Sequence, residues 1–532
     1  MCRTIHSFTM SASSARVPTR SVDAECLVSR VTLADSARSR TPVLAPFSGE
    51  QLATIPLGEP ADVELAIRRA RESRPRWSAL DVQERSQVLL RFHDLLLERR
   101  DEALDVIQLE SGKARRHAFE EILDTALVAR HYGVHAARYL RSRRRAGVFP
   151  LLTSTIEVHH PVGLVGVISP WNFPLILGIT DALAALVAGN AVVLRPDEQS
   201  SLTALWAAQL LGEAGLPRDV LQIETGLGPV LGPALIAGVD YLMFTGSTKT
   251  GRVVATQAAE RLIGFSLELG GKNPMLVLDD ADLDAAVDGA VRGSFIGAGQ
   301  VCVSFERIYV HDALYERFVD RFVQRVKAMR LSASLDYDGD MGSLTVPRQL
   351  AAVEEHLRDA LEKGATLLAG GKRRPDVGPL FFEPTVLTDV TRGMRLYAEE
   401  TFGPVVALYR FADETEAIAR ANDTRFGLNA SVWSRRTSHA LRVARQLQVG
   451  TVNVNESYAA TWTSTASPIG GMKQSGFGRR HGAEGILKYT ETQTIATQRG
   501  VALAPLPGMS EPTYGRVMPA LLRVMRRLPG LR

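Results

Sequence analysis

Cysteine is scarce in this chain. Among 532 residues there are three, Cys2, Cys26 and Cys302. They are too few and too scattered for a disulfide framework, and such usage fits a reducing compartment, the cytoplasm. Long apolar runs are missing too. No stretch reaches the ~18 uninterrupted apolar residues of a membrane-spanning helix. The richest region, residues 161–194, is broken by Pro170, Asn172, Pro174, Asp181 and Asn190. Neither sign of charge dominates: 62 Lys and Arg against 58 Asp and Glu leave a net +4, which gives no case for a nucleic-acid partner. The N-terminal "MCRTIHSFTMSASSARVPTR" has no apolar core and no acidic residue before Asp23. That excludes a secretory signal and leaves a disordered tail, a transit-like leader, or a true start at Met10. His159 and His160 are adjacent, with no further ligand at metal spacing. They read as strand or turn residues, and no metal site is expected.

What is present reads as a multidomain globular protein, 45% hydrophobic and 23% charged. Residues 1–40 are expected to be a disordered extension. Helical periodicity marks 61–74, ended by Pro75, and 81–109. The basic "RYLRSRRRAG" and the following "STIEVHHPVG" read as an arm leaving the first unit. Then strands and helices alternate: "VGLVGVIS", "ITDALAALVAG", "NAVVLRP", "SLTALWAAQLLGEAG", "DVLQIE", "GPVLGPALIAG", "DYLMF" and a helix opening at "TGSTKTG". This alternation predicts an α/β fold with a parallel sheet covered on both faces. A second α/β block begins at "PMLVLD" and includes "FERIYV", "PVVALYRF", "NASVW" and "GTVNVN". Residues 501–532 form a linker and a basic amphipathic segment. In it Val517, Leu521, Met525 and Leu528 share one helical face, with Pro519 in a first turn. Docking on the subunit or a neighbour, and contact with a membrane surface, both fit that pattern.

Several stretches carry chemistry. "FTGSTKTGRV" places Gly246, Ser247 and Gly251 at a helix start, which favours phosphate. Arg252 and Val253 stand where an NTPase loop needs Lys and a hydroxyl residue. "VVLRPDE" ends a strand with Arg195, Asp197 and Glu198, and an acid there accepts from ribose hydroxyls. In "ISPWNFPL" two prolines lock a turn that includes Pro170, Trp171 and Asn172, whose amide suits a developing oxyanion. In "LELGGKNP", Glu268 lies in an apolar run, where desolvation raises a carboxylate pKa toward general-base work. Cys302 follows "GAGQ"; read alone, a buried inert thiol is the commoner outcome, whereas attack on a substrate needs a thiolate.

Taken together and in order, "PWNFPL", "GNAVVLRPDEQS", "FTGSTKTG", "LELGGKNP", "GQVC", "EETFGPV", "NVN" and "PIGGMKQSGFGR" resemble the aldehyde dehydrogenase superfamily over residues 41–498. The wording of "FERIYV", "RPDVGPLFFEPTVLTDV" and "GRRHGAEGILKYTETQTIATQR" is similar to its actinobacterial succinate-semialdehyde dehydrogenase branch. The resemblance implies a Rossmann-type cofactor domain (41–140 and 162–267), a catalytic domain (268–485), a small β oligomerisation arm (141–161 and 486–498), and a homodimer or homotetramer. It implies that Cys302 attacks the aldehyde and that Asn172 and the Cys302 backbone N–H hold the oxyanion. Hydride passes to NAD or NADP, and Glu268 activates water to hydrolyse the thioester. It places Trp171, Leu269, Glu400 and Phe402 around the nicotinamide end of the cofactor, and Gly246 and Ser247 at the pyrophosphate.

The chain departs from the pattern in three places. Arg195 stands where the family has Lys. Glu198 replaces the small hydroxyl residue of NADP-preferring members, so a carboxylate faces a 2′-phosphate, with Arg195 as a partial offset. Ile296 and Thr180 stand where better-studied succinate-semialdehyde dehydrogenases have carboxylate-binding arginines. With Phe305, Tyr458, Trp462 and Ile469 expected in the pocket, a bulkier apolar or aromatic aldehyde is the alternative to succinate semialdehyde. Three competing functions are also carried. A CoA-acylating enzyme has no use for the Glu268 base. A cofactor-independent cysteine hydrolase needs a histidine, and His311 is the nearest in sequence. An inactive relative would not need Cys302, Glu268 and Asn172 together.

Overall fold

The computed structural model describes residues 23–149, 152–500 and 503–527. Five strands form a parallel sheet in the spatial order Gly264–Glu268, Tyr241–Thr245, Leu164–Ser169, Ala191–Pro196, Leu221–Ile223. The short strand Gly476–Phe477 pairs antiparallel on the outer edge. Every residue of Leu164–Ser169, Ala191–Pro196 and Tyr241–Thr245 is buried, as a parallel sheet covered on both faces requires. The chain lays successive strands to one side of Leu164–Ser169, then returns to build on the other. That reversal makes a topological switch point, where a crevice opens at the carboxyl ends of the strands.

A second sheet has seven strands in the order Thr366–Ala369, Thr385–Thr388, Val405–Phe411, Phe305–His311, Asn273–Val277, Asn429–Trp433, Thr451–Val454. All neighbours are parallel except the first pair. Each sheet has its own large apolar core. A third, small cluster contains Phe173, Ile176, Leu177, Ile296, Val301, Val303, Leu428 and Tyr458, with Cys302 and Trp462 packed against it. It joins residues that follow the first sheet's strand Leu164–Ser169 to residues beside the second sheet. The architecture is therefore α/β with two sheets and a site between them.

The arm is a three-stranded antiparallel sheet, Thr490–Gln498, Thr153–Pro161 and Arg143–Ala146. It starts later than expected at its C-terminal side. Ile486 and Tyr489 are fully buried in the first core, and only from Thr490 does the chain leave it. Three other expectations change. Pro75 does not end its helix, which runs Pro60–Ser78; Trp77 in the extra turn is buried and its indole N–H donates to the Leu186 carbonyl at 2.8 Å, so packing outweighs the breaker. The 81–109 stretch is two helices, Val82–Glu98 and Arg100–Ser111, with Arg99 out of helical geometry between them. Disorder to residue 40 does not hold for residues 23–40: Ala24–Val28 is a helix, and Leu27, Val28 and Val31 are buried. The remainder of that expectation, residues 1–22, lies outside the described residues.

At the other end, Glu511–Arg527 forms a helix that buries none of its residues, so it is not docked on its own subunit. It begins before Pro519, which falls in its interior rather than its first turn. Leu528 lies outside the described residues. No helix among the described residues is long and apolar enough to cross a membrane.

Candidate active site

Cys302 sits on a loop held by left-handed backbone. The helix Leu283–Phe295 ends at Ile296, and Gly297, Ala298 and Gly299 follow with φ of 54°, 56° and 72°. Glycine suits this conformation because it has no Cβ penalty. At Gly299 it is also a matter of space, since a Cβ would lie 2.0 Å from the Gly403 carbonyl oxygen. The Cys302 carbonyl accepts from Asn273 Nδ2 at 2.7 Å, and a Cβ on Gly271 would come 2.3 Å from that same oxygen. The loop therefore presents the half-buried thiol in one position. Burial pushes the thiol up to about 12, and repulsion from Glu268 and Glu400 adds to it. Arg480 pulls the other way without offsetting this, so the sulfur keeps its proton.

Asn172 is supported from beneath. Lys113 Nζ donates to the Asn172 carbonyl at 2.6 Å and to Glu121 at 2.5 Å, and it lies 3.6 Å from the Phe173 ring centroid. Glu121 in turn accepts from the backbone N–H groups of Leu175 and Ile176. It thereby caps the helix Pro174–Val187 from a distant element. The Asn172 amide donates to the Gln300 carbonyl at 2.8 Å. A carboxamide has two N–H hydrogens, so this bond leaves one for an incoming oxygen beside the cysteine loop.

Glu268 ends the strand Gly264–Glu268 and its carbonyl accepts from Gly246 N–H at 3.0 Å. Burial raises its pKa to about 7, against the pull of Arg480 and Lys488. Those cations belong to a buried ionic group: Asp181 pairs with Arg480 at 2.5 Å and with Lys488 at 3.1 Å.

The crevice at the switch point gathers most of the expected cofactor residues. Pro170 and Trp171 follow the strand Leu164–Ser169. Arg195, Asp197 and Glu198 lie at the end of the next strand, where Arg195 bonds Glu198 at 2.5 Å and the Gly226 carbonyl. Gly246 and Ser247 precede the helix Thr248–Glu260, which Ser247 caps by accepting from Thr250 N–H. Gly251 is packed so tightly that a Cβ would lie 2.5 Å from Leu269. From the second sheet's side, Glu400 accepts from Gly271 N–H at 2.8 Å, and Phe402 meets Trp171 edge-on with ring centroids 5.7 Å apart. Lys272 and Glu306 form a buried pair, and Glu306 accepts from the N–H groups of Thr401 and Phe402. A dinucleotide fits this donor set: free N–H groups at a helix start for phosphate, and the carboxylates of Glu198 and Glu400 for two ribose units.

Against Cys302 and Asn172 lies a cavity of about 600 Å³, counting its solvent-open mouth. Its walls are mostly apolar, including Phe173, Ile176, Leu177, Ile296, Val301 and Val303. Residues 33–495 match the profile of the aldehyde dehydrogenase family. The chain belongs to that family. A Mycolicibacterium smegmatis protein, provisionally named succinate-semialdehyde dehydrogenase (NADP+), is 50% identical over 494 residues, 93% of this chain and 96% of its own. The crystal structure of succinate-semialdehyde dehydrogenase from Burkholderia pseudomallei superposes with a TM-score of 0.83 at 35% identity, covering 86% of this chain and 95% of that one. Betaine aldehyde dehydrogenase from Staphylococcus aureus, in complex with NAD+, gives 0.84 at 32% identity, covering 90% and 98%. The dehydrogenase is thus an oxidoreductase that uses NAD or NADP.

Of the four expected pocket residues, Tyr458 and Trp462 line the cavity of this aldehyde dehydrogenase. Phe305 and Ile469 do not. Phe305 has 0% exposure and packs in the second core, where a Cβ on Gly293 would touch its ring. Its place in a strand buried on both faces turns it away from substrate. Ile469 is buried in a backbone bridge with Arg480. Ile296 lines the cavity, whereas Thr180 spends its hydroxyl on the Ile176 carbonyl. The sequence reading missed Glu120, Asp124 and Arg292 in the lining. Glu120 and Asp124 are one helical turn apart in "EEILD", but the side that faces the cavity is fixed only by packing. His311 donates no support to Cys302: its ring accepts from Ala313 N–H at the end of its strand. His117 is the ring held against the cysteine loop, where it accepts from Gly297 N–H at 3.2 Å; the family match gives the hydrolase alternative no support.

Proposed function

We propose that this dehydrogenase oxidises an aldehyde to a carboxylic acid through a covalent intermediate on Cys302. The observation that supports this reading is that Cys302 and Asn172, from separate chain segments, line one largely apolar cavity, while the buried Glu268 lies near enough for its charge to act on the thiol. In the mechanism, Cys302 Sγ attacks the aldehyde carbon, and the Asn172 amide with the Cys302 backbone N–H stabilises the oxygen that becomes negative. Bound NAD(P) supplies the hydride acceptor and, being oxidised, a positive charge that favours the thiolate. Glu268, ionising near neutrality, then takes a proton from water, which releases the acid and frees the thiol. Glu198 and Arg195 would hold the adenosine end of the cofactor and Glu400 the nicotinamide ribose. Substitution Cys302→Ala is expected to abolish NAD(P)H formation while cofactor binding, read by fluorescence titration, persists. An active Cys302→Ala enzyme would overturn the mechanism.

The relatives' names support succinate semialdehyde as substrate. The cavity supports an aldehyde with a more apolar body: the two positions expected to be arginine are Ile296 and Thr180, and the one cation in its lining among the described residues, Arg292, already contacts Glu456 at 3.2 Å. A homo-oligomer fits the exposed arm, and sedimentation velocity measures it. The undocked basic helix Glu511–Arg527 suits weak contact with a membrane surface, which equal liposome co-sedimentation of the full chain and a chain ending at Gly500 would refute. A cytoplasmic location fits the three scattered cysteines, and cell fractionation checks it.

A further inference from the structure

The cavity carries two carboxylates for which the proposed chemistry has no use. Glu120 and Asp124 stand four residues apart on the helix Arg115–Leu140, so they share a face. Asp124 is 2% exposed; neither of its oxygens closes a hydrogen bond of good geometry, and the Trp462 side chain is the donor that approaches it. Burial pushes its carboxyl to about 7, with Trp462 and Arg480 favouring the charged form. Arg480 pairs with Asp181 and donates to the Thr245 hydroxyl, its Nε has no partner, and it is not part of the cavity lining. Glu120 accepts from the Tyr458 hydroxyl at 2.8 Å.

The opposing charge at this site is small. Arg292 lies at the mouth with its side chain 45% exposed, 4.0 Å from Glu120. It is shared with a third acid, Glu456, and its guanidinium sits 5.0 Å from the Tyr458 ring centroid. A buried, unpartnered carboxylate is unfavourable unless something pairs with it. In an otherwise apolar cavity the missing partner is a donor with positive charge, which Asp124 and Glu120 attract electrostatically and the Trp462 ring accepts through its π face.

We propose that Asp124, assisted by Glu120, recognises a cationic group at the far end of the aldehyde, so that the enzyme's substrates are aldehydes bearing an ammonium group on a short apolar chain. This rests on the reading of the Cys302 cavity as the aldehyde site. An aldehyde ending in a carboxylate meets two like charges and, among the described residues of the lining, no cation but the shared Arg292. Asp124 is a specificity residue: it takes no part in bond making.

The test compares kcat/KM of the full-length enzyme for 3-aminopropanal, its uncharged isostere butanal, 4-(trimethylammonio)butanal and succinate semialdehyde, in wild type and Asp124→Asn. In wild type at least one cationic aldehyde exceeds butanal by about tenfold or more, and Asp124→Asn lowers that cation-to-butanal ratio by about tenfold, chiefly through KM. A merely structural role would scale both substrates together and leave the ratio alone. A second measurement needs only wild type: butyltrimethylammonium inhibits butanal oxidation competitively at concentrations about tenfold below butyrate. The proposal is overturned if the cations do no better than butanal, if the ratio survives Asp124→Asn, if butyrate is the better inhibitor, or if succinate semialdehyde exceeds both cations. Oxidation of butanal without cation preference sinks only this inference; absence of NAD(P)H formation from every aldehyde sinks the aldehyde-oxidation reading with it.

Discussion

Glu268 is a carboxyl whose value is set by its surroundings. Its pKa stands near 7 because burial disfavours its charge more than Arg480 and Lys488 restore it. Only the ionised form can take a proton from water, so the sign is definite. Acid release should fall about tenfold per pH unit below 7 and be flat above. Single-turnover hydrolysis of the acyl-enzyme, followed from pH 5 to 9, measures this, and an inflection near the ordinary glutamate value of about 4.3 would contradict the burial argument. At this scale the sequence was informative where a residue type is demanded by local chemistry. Cys302, Glu268 and Asn172 each sit in a short run of glycine, proline or small residues that leaves few conformations. Asp124 and Glu120 were not legible, because nothing in "FEEILD" says which side of a helix meets substrate. Phe305 was misjudged for the complementary reason: nearness in sequence to Cys302 says nothing about the direction of its side chain once a strand begins.

Elements in this molecule are fixed to one another by buried charge. Lys113 and Glu121 join the Asn172 turn, the helix Arg115–Leu140 and the start of the helix Pro174–Val187. Burial raises the carboxyl of Glu121 while Lys113 draws it down, and neither side chain has access to water. Removing one partner leaves an uncompensated charge, a change that costs about 3–5 kcal/mol in buried pairs. Glu121→Gln should therefore lower the unfolding midpoint in urea and reduce kcat through loss of the Asn172 position; an unchanged midpoint would show that the pair contributes nothing. Periodicity and alternation foretold most helices and strands, because most strand neighbours in both sheets are parallel and the central strands are buried along their whole length. The misses fall where tertiary contacts decide: Trp77 holds a helix together past Pro75, and Arg99 separates two helices that read as one.

The whole molecule leaves one nine-residue strand, Thr490–Gln498, largely exposed at the edge of the arm. An open edge of this length invites pairing with another chain, and Ile495 offers it an apolar contact at 47% exposure. Ile495→Lys is expected to shift sedimentation velocity toward the monomer; an unaltered distribution would assign assembly to another surface. The arm was legible as a segment that leaves the first unit, while its exact start was not, because the burial of Ile486 and Tyr489 comes from the distant first core.

The central claim is the covalent role of Cys302, and one measurement reaches it directly. Glu268→Gln enzyme is mixed with NAD or NADP and butanal, quenched in acid, digested and analysed by mass spectrometry. With its base removed, hydrolysis stalls after the redox step, so the peptide containing Cys302 should carry a butanoyl group in an amount equal to a single burst of reduced cofactor. Continued turnover with the Cys302 peptide unmodified would contradict the account.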